Sequence, residues 1–142
     1  MKQDISISKI TDPADLQKAF AIRYKVFVEE QGCPPALEQE FDEVTTHFLA
    51  SVGDVPAGAS RWRRTELGYK LERFAVLKEF RGVGVGQALV KAVLADLPAD
   101  ASCIYLNAQT QVTGLYAKVG FETNGPEFEE AGIKHYKMVL KR

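Results

Sequence analysis

Apolar residues stand at alternate positions through Ile5 and Ile7, and the rough alternation up to Ile10 predicts a first strand. The period then changes. Leu16, Phe20, Arg23 and Phe27 recur at helical spacing, with Ala19 and Val26 on the same side. Asp12 is the expected N-cap, Pro13 suits the first helical position, and Asp15 can meet the free amides of the first turn. Gly32 ends this helix, and Pro34 and Pro35 block its continuation. The segment CPPALEQEFDEVT is acidic and irregular, and fits either a short helix or a surface loop.

THFLASV and AGASRWR read as two strands joined by GDVP, whose Gly53, Asp54 and Pro56 support a hairpin. GYKLERFAVL gives a further strand. Regular alternation would set Tyr69, Leu71, Arg73 and Ala75 on one face, and Lys70, Glu72, Phe74 and Val76 on the other. KEFR turns the chain into RGVGVGQALV, after which Val85, Leu89, Ala92 and Val93 form the apolar side of a helix ending by Pro98. SCIYLNAQ is a short strand, TQVTGLYAKVG a helix closed by Gly120, FETNGPEFEEAG a polar turn region, and IKHYKMVL the last strand. This order predicts an α/β (α+β) chain, a mixed sheet with helices against it. With no internal repeat or linker, residues 1–142 are expected to form a single domain.

Composition narrows the function classes. Hydrophobic residues make up 46% and charged residues 26%, ordinary values for a soluble globular protein. A formal net charge of -1 and no basic recognition helix set nucleic acid aside as a partner. No window approaches the roughly 20 apolar residues of a membrane span, and the N-terminus MKQDISISKI lacks the core of a signal peptide. Cys33 and Cys103 are too few for a disulfide scaffold, which fits a reduced, cytoplasmic setting. Cys33, His47, Cys103 and His135 offer no short-spaced pair, so no metal site is expected.

The chemistry concentrates in RGVGVGQALV. A phosphate-binding P-loop needs Lys-Ser or Lys-Thr after its last glycine, where this chain has Gln87 and Ala88. A dinucleotide fingerprint begun at Gly82 meets Gln87 in place of its third glycine. What remains is a strand end, a glycine turn and a helix start. Unpaired amides at that helix start attract anionic oxygen, glycines admit close approach, and Arg81 adds a fork of donors. The alternative is a tight turn that serves only helix–sheet packing.

Arg81-x-x-Gly84-x-Gly86 resembles the acyl-CoA pyrophosphate motif of the GNAT N-acetyltransferases. FAVL before it, LNAQ at Leu106 to Gln109, and LYAKVGF at Leu115 to Phe121 follow in that family's order. IRYKVFVEEQG and EFEEAGIKHYKM resemble its small bacterial ElaA-like or YjcF-like subgroup, so the resemblance covers nearly the whole chain. It implies a GNAT fold with helices on both faces of a twisted sheet. It also implies acetyl-CoA in the gap between two splayed parallel strands. By that resemblance the backbone of Phe74, Ala75 and Val76 meets the pantetheine arm. Arg81, Gly82, Val83, Gly84, Val85, Gly86 and Gln87 hold the pyrophosphate. Asn107 faces the pantetheine or thioester, and Tyr116 protonates the departing thiolate.

Acetyl transfer needs a neutral amine, a polarised carbonyl and a protected leaving sulfur. A backbone amide near Val76 suits the developing oxyanion, and the Tyr116 hydroxyl suits the proton donor, although a core tyrosine is the plainer reading. For the base, Glu72 is favoured if burial raises its pKa. Glu43 and His47 are the alternatives, and an amine that arrives already neutral needs none. Cys33, Glu43, His47 and His135 are the expected acceptor-pocket residues, with His135 equally fit for a sheet-surface pairing. RWRR at Arg61 to Arg64 is either an anion-attracting patch or a solvated strand end. The expected activity is acetyl transfer from acetyl-CoA to the amine of a small molecule or peptide. A non-catalytic acyl-CoA-binding module is the alternative. A symmetric homodimer is admitted because most soluble oligomers are of that kind.

Overall fold

The computed structural model describes residues 4–38 and 45–141. Its first helix, α1 (Pro13–Arg23), begins as its sequence dictates, with the Asp12 carboxylate accepting from the Asp15 amide at 2.8 Å. It does not run on to Gly32 as one α-helix. From Tyr24 to Glu30 the backbone widens into a π-helix, a form that gathers at functional sites. A short helix α2 (Pro35–Glu38) follows. Arg23, 1% exposed, ties α2 to α1 through bonds from Nε to Glu38 Oε1 at 2.6 Å and from Nη2 to the Glu38 carbonyl at 2.8 Å.

The described strands are β1 (Ile5–Lys9), β2 (Thr46–Val52), β3 (Val55–Thr65), β4 (Gly68–Val76), β5 (Ile104–Gln109), β6 (Phe121–Thr123), β7 (Phe128–Glu130) and β8 (Ile133–Leu140). They form one mixed sheet in the order β1-β2-β3-β4-β5-β8-β6, with β7 also on β8. Only β4 and β5 pair in parallel. The expected polar turn region between Phe121 and Gly132 therefore contains two strands. They share one edge of β8, with Phe121 opposite Leu140 and Phe128 opposite His135. Pairing satisfies backbone groups there that the apolar Phe121, 2% exposed, helps to bury.

Helices cover both faces. Helix α3 (Val85–Asp96) buries Val85, Leu89, Val90 and Val93 against Phe48, Ala50, Leu71, Leu106 and Met138. Full burial of each aliphatic side chain contributes about 1.5–3 kcal/mol. On the other face α1 packs Ala19, Ile22 and Val26 over Leu49, Ala59 and Ala75. Helix α4 (Thr113–Ala117) follows β5 and brings Tyr116 into the α3-side core.

One irregularity in β4 reshapes the site. Arg61 stands opposite Glu72 and Ala59 opposite Ala75, so one β3 residue faces two of β4. At this bulge Arg73 adopts a φ of 58°. A non-glycine residue held there costs about 1–3 kcal/mol, a strain found most often at functional sites. The extra residue inverts the alternation beyond it. Phe74 and Val76 join Leu71 against the α3-side core, while Ala75 packs beneath α1. The expected grouping of Glu72 with Phe74 and Val76 is thereby overturned, because regular alternation does not survive a bulge.

Candidate active site

Strands β4 and β5 pair at Tyr69–Ile104, Lys70–Tyr105 and Leu71–Leu106, and there the pairing stops. Beyond it the strands diverge, and a cleft of about 770 Å³ opens between them. That volume is in the usual range for small-molecule and cofactor sites, roughly 300–1,000 Å³. Its walls include Glu72, Phe74 and Val76 from β4, Asn107 and Gln109 from β5, Tyr116 from α4, and the loop into α3.

The glycine loop closes one end. Gly84 caps α3 with a φ of 97°, and no side chain caps the helix start. The first amides of α3 are therefore open to an anion. Gly82, with a φ of 83°, also needs the left-handed region, and a Cβ built there would meet open space. Gly86 answers a packing demand, since a Cβ there would lie 3.2 Å from Leu115 Cδ2. Arg81 bends back across the loop. Its Nε donates to the Val76 carbonyl at 2.9 Å and its Nη2 to both oxygens of Glu30 at 3.0 Å. Open glycine space, uncapped amides and a nearby arginine fit a diphosphate.

Tyr116 lies beside this end, 6% exposed, edge-on to Phe74 and to Phe121 with ring centroids 5.7 and 6.3 Å away. Burial pushes its phenol far above the ordinary tyrosine range, so it stays protonated. Among the described residues no hydrogen bond engages its hydroxyl. Asn107 is half-buried on β5, opposite Lys137 of β8.

Glu72 departs from expectation. Burial pushes its carboxyl up, but the cations Arg61, Lys70, Arg63 and Arg73 outweigh that and hold it below the usual range. Arg61 reaches Oε2 at 2.5 Å, Arg63 the same oxygen at 3.1 Å, and Lys70 reaches Oε1 at 3.4 Å. The expected rise in pKa is overturned, because a carboxylate ringed by cations is a weak base. RWRR is likewise more than a solvated strand end. Arg61 is fully buried, and Trp62 packs on the core and donates to Asp96 Oδ2 at 2.9 Å.

The cleft walls also include Gln31, Cys33, Glu38, Arg73, Glu130 and His135. Burial, ahead of every charge nearby, pushes the Cys33 thiol up, which leaves it a poor nucleophile. Gln31 and Gln109 join their side-chain amides across the cleft, with Gln109 Nε2 donating to Gln31 Oε1 at 2.9 Å. Three expected residues fall outside the cleft walls. Ala75 is buried under α1 and Val83 is 57% exposed on the surface. His47 sits edge-on to Phe20 at 5.8 Å, with Nε2 2.7 Å from Thr45 Oγ1. Glu43 lies outside the described residues. Sequence reasoning missed Arg73, Glu30 and the Gln31–Gln109 pair. Nothing in GYKLERFAV marks a bulge, and the other contacts join segments far apart in the chain. Among the described residues no cluster of His, Cys, Asp and Glu is arranged to hold a metal ion.

The fold is a mixed sheet opened between two parallel strands, with a glycine loop at one end of the gap. The acetyltransferase (GNAT) domain model matches residues 9–142, and the chain belongs to that family. A Bacillus subtilis (strain 168) protein provisionally named as an acetyltransferase is 41% identical over 141 residues, 94% of this chain and 95% of its own. YjcF of the same organism, an uncharacterized N-acetyltransferase, is 42% identical over 129 residues, 87% of this chain and 91% of its own. The crystal structure of Escherichia coli ElaA superposes with a TM-score of 0.79 at 25% identity, covering 98% of this chain and 99% of that one.

Proposed function

We propose that this chain transfers an acetyl group from acetyl-CoA to the amine of a small molecule or peptide. The observation that carries the reading is the single cleft. Its walls bring together an anion-receptive loop, a buried, protonated tyrosine and the polar side chains of Gln31, Gln109 and His135. Bound acetyl-CoA supplies the activated acyl group as a thioester. The α3 amides and the 81–87 loop bind its diphosphate, with Arg81 once it is released from Glu30. The β4 edge from Glu72 to Val76, unpaired on the β5 side, offers backbone groups to the pantetheine arm and to the polarised carbonyl. Asn107 faces the same gap. Tyr116 holds a proton for the leaving sulfur and, with Phe74, keeps water from it.

Calorimetric titration with acetyl-CoA tests the binding half, against an Arg81→Ala, Gly84→Glu double variant. One site per chain, lost in the variant, is expected. Release of free thiol with a panel of amines tests transfer. Absence of binding by the parent overturns the assignment; binding without transfer to any amine leaves a coenzyme-binding module.

A further inference from the structure

With Glu72 ringed by cations, Glu38 buried against Arg23 and the Cys33 thiol pushed up, the proton acceptors left among the described cleft residues are His135 and Glu130, of which His135 is the buried one. It lies on β8, opposite Gln109 of β5 on one side and Phe128 of β7 on the other. Its Nδ1 is 2.7 Å from the Ile133 carbonyl oxygen. A carbonyl can only accept, so in the neutral ring Nδ1 carries the proton and Nε2 is bare. Phe128 stacks on the ring at 5.8 Å and 22°, which fixes its plane. Nε2 faces Glu130 Oε2 at 3.9 Å. That is too long for a hydrogen bond. Both residues line the cleft.

We propose that His135 is the general base, taking a proton through Nε2 from the ammonium form of the acceptor, directly or through one water. This rests on the acetyl-transfer reading above. The acceptor enters as R–NH3⁺, and its first proton passes to Nε2 and then to solvent. The freed nitrogen pair forms the N–C bond while the C–S bond breaks, its electrons leaving on sulfur. Tyr116 gives its phenol proton to that sulfur, and the second proton from nitrogen restores the phenol through solvent. One proton is released per turnover. Glu130 of β7 is the charged group set beside the imidazole, and Cys33, Glu38 and Arg73 share the cleft wall with it.

Two measurements on the full chain test this. Nitrogen-15 spectra of the imidazole are expected to show the Nδ1–H tautomer of His135; the Nε2–H tautomer overturns the proposal. The second measurement is kcat/KM for acetylation of benzylamine, ethanolamine and glycylglycine, followed by thiol release across pH. His135→Gln is expected to lower kcat/KM by about 10²–10⁴-fold below the amine's own pKa. The deficit should close as the pH passes that pKa, with KM for acetyl-CoA unchanged. A loss independent of pH, or no loss, overturns the assignment. If the parent binds acetyl-CoA but acetylates none of the amines, the transfer reading fails, and the tautomer still decides the histidine's geometry.

Discussion

Arg81 and Glu30 meet across the mouth of the cleft, with Nη2 of the arginine 3.0 Å from both carboxylate oxygens. A diphosphate must compete with that carboxylate for the same donors. Glu30→Gln is therefore expected to tighten CoA binding several-fold. Arg81→Ala should weaken it by roughly 10–100-fold, from about 1.5–3 kcal/mol for a charged hydrogen bond. Calorimetry at two salt concentrations measures both. Weaker binding in Glu30→Gln would mean that the carboxylate orients Arg81 in the bound state.

Tyr116→Phe separates chemistry from packing. No hydrogen bond among the described residues holds the hydroxyl, so its removal should leave the melting temperature nearly unchanged. The rate of thiol release should fall about 10²–10⁴-fold if the phenol is the acid. Because burial raises its pKa, no basic limb from Tyr116 should appear in the pH profile below about pH 10. An unchanged kcat removes the tyrosine from the mechanism.

Glu72 should matter for stability before chemistry. Its side chain is 6% exposed and that of Arg61 0%, so Glu72→Gln leaves a buried charge without its carboxylate. Such losses cost about 3–5 kcal/mol. The folded carboxyl is depressed, so its contribution is present above the unfolded pKa of about 4.3 and fades as pH falls through the lower folded value. Urea midpoints at neutral and acidic pH should converge between parent and variant. A gap that stays constant with pH contradicts the ion-pair account.

Gly58 marks the tightest contact between β3, β4 and α3. A Cβ there would sit 2.9 Å from the Ala75 carbonyl and 3.1 Å from Leu89 and Val85 side chains. Gly58→Ala is expected to destabilise by about 1–3 kcal/mol. At about 4 °C per kcal/mol, thermal unfolding resolves this readily. A variant as stable as the parent would show that β4 can yield toward the cleft.

Local chemistry was legible in the sequence, and distant contacts were not. Asp12 caps α1, and the glycines turn the chain into α3, because both depend on neighbouring atoms. The GNAT pattern was legible because its segments recur in a set order. The pairing of β6 and β7 on β8 and the burial of Arg61 depend on contacts between separate elements, and the π-helix at Tyr24–Glu30 has no mark in the helical spacing. Periodicity failed most consequentially in β4. A bulge has no compositional mark in a strand that already mixes charged and aromatic residues.

The extra residue at Arg73 is a position that β4 can hold without exchanging its two faces. Deleting Arg73 would remove the bulge and restore regular alternation with Phe74 and Val76 still on the Leu71 side, against the α3-side core and Tyr116. A one-residue gap at Arg73 in an alignment therefore keeps the walls of the cleft matched, whereas one elsewhere in β4 exchanges its two faces.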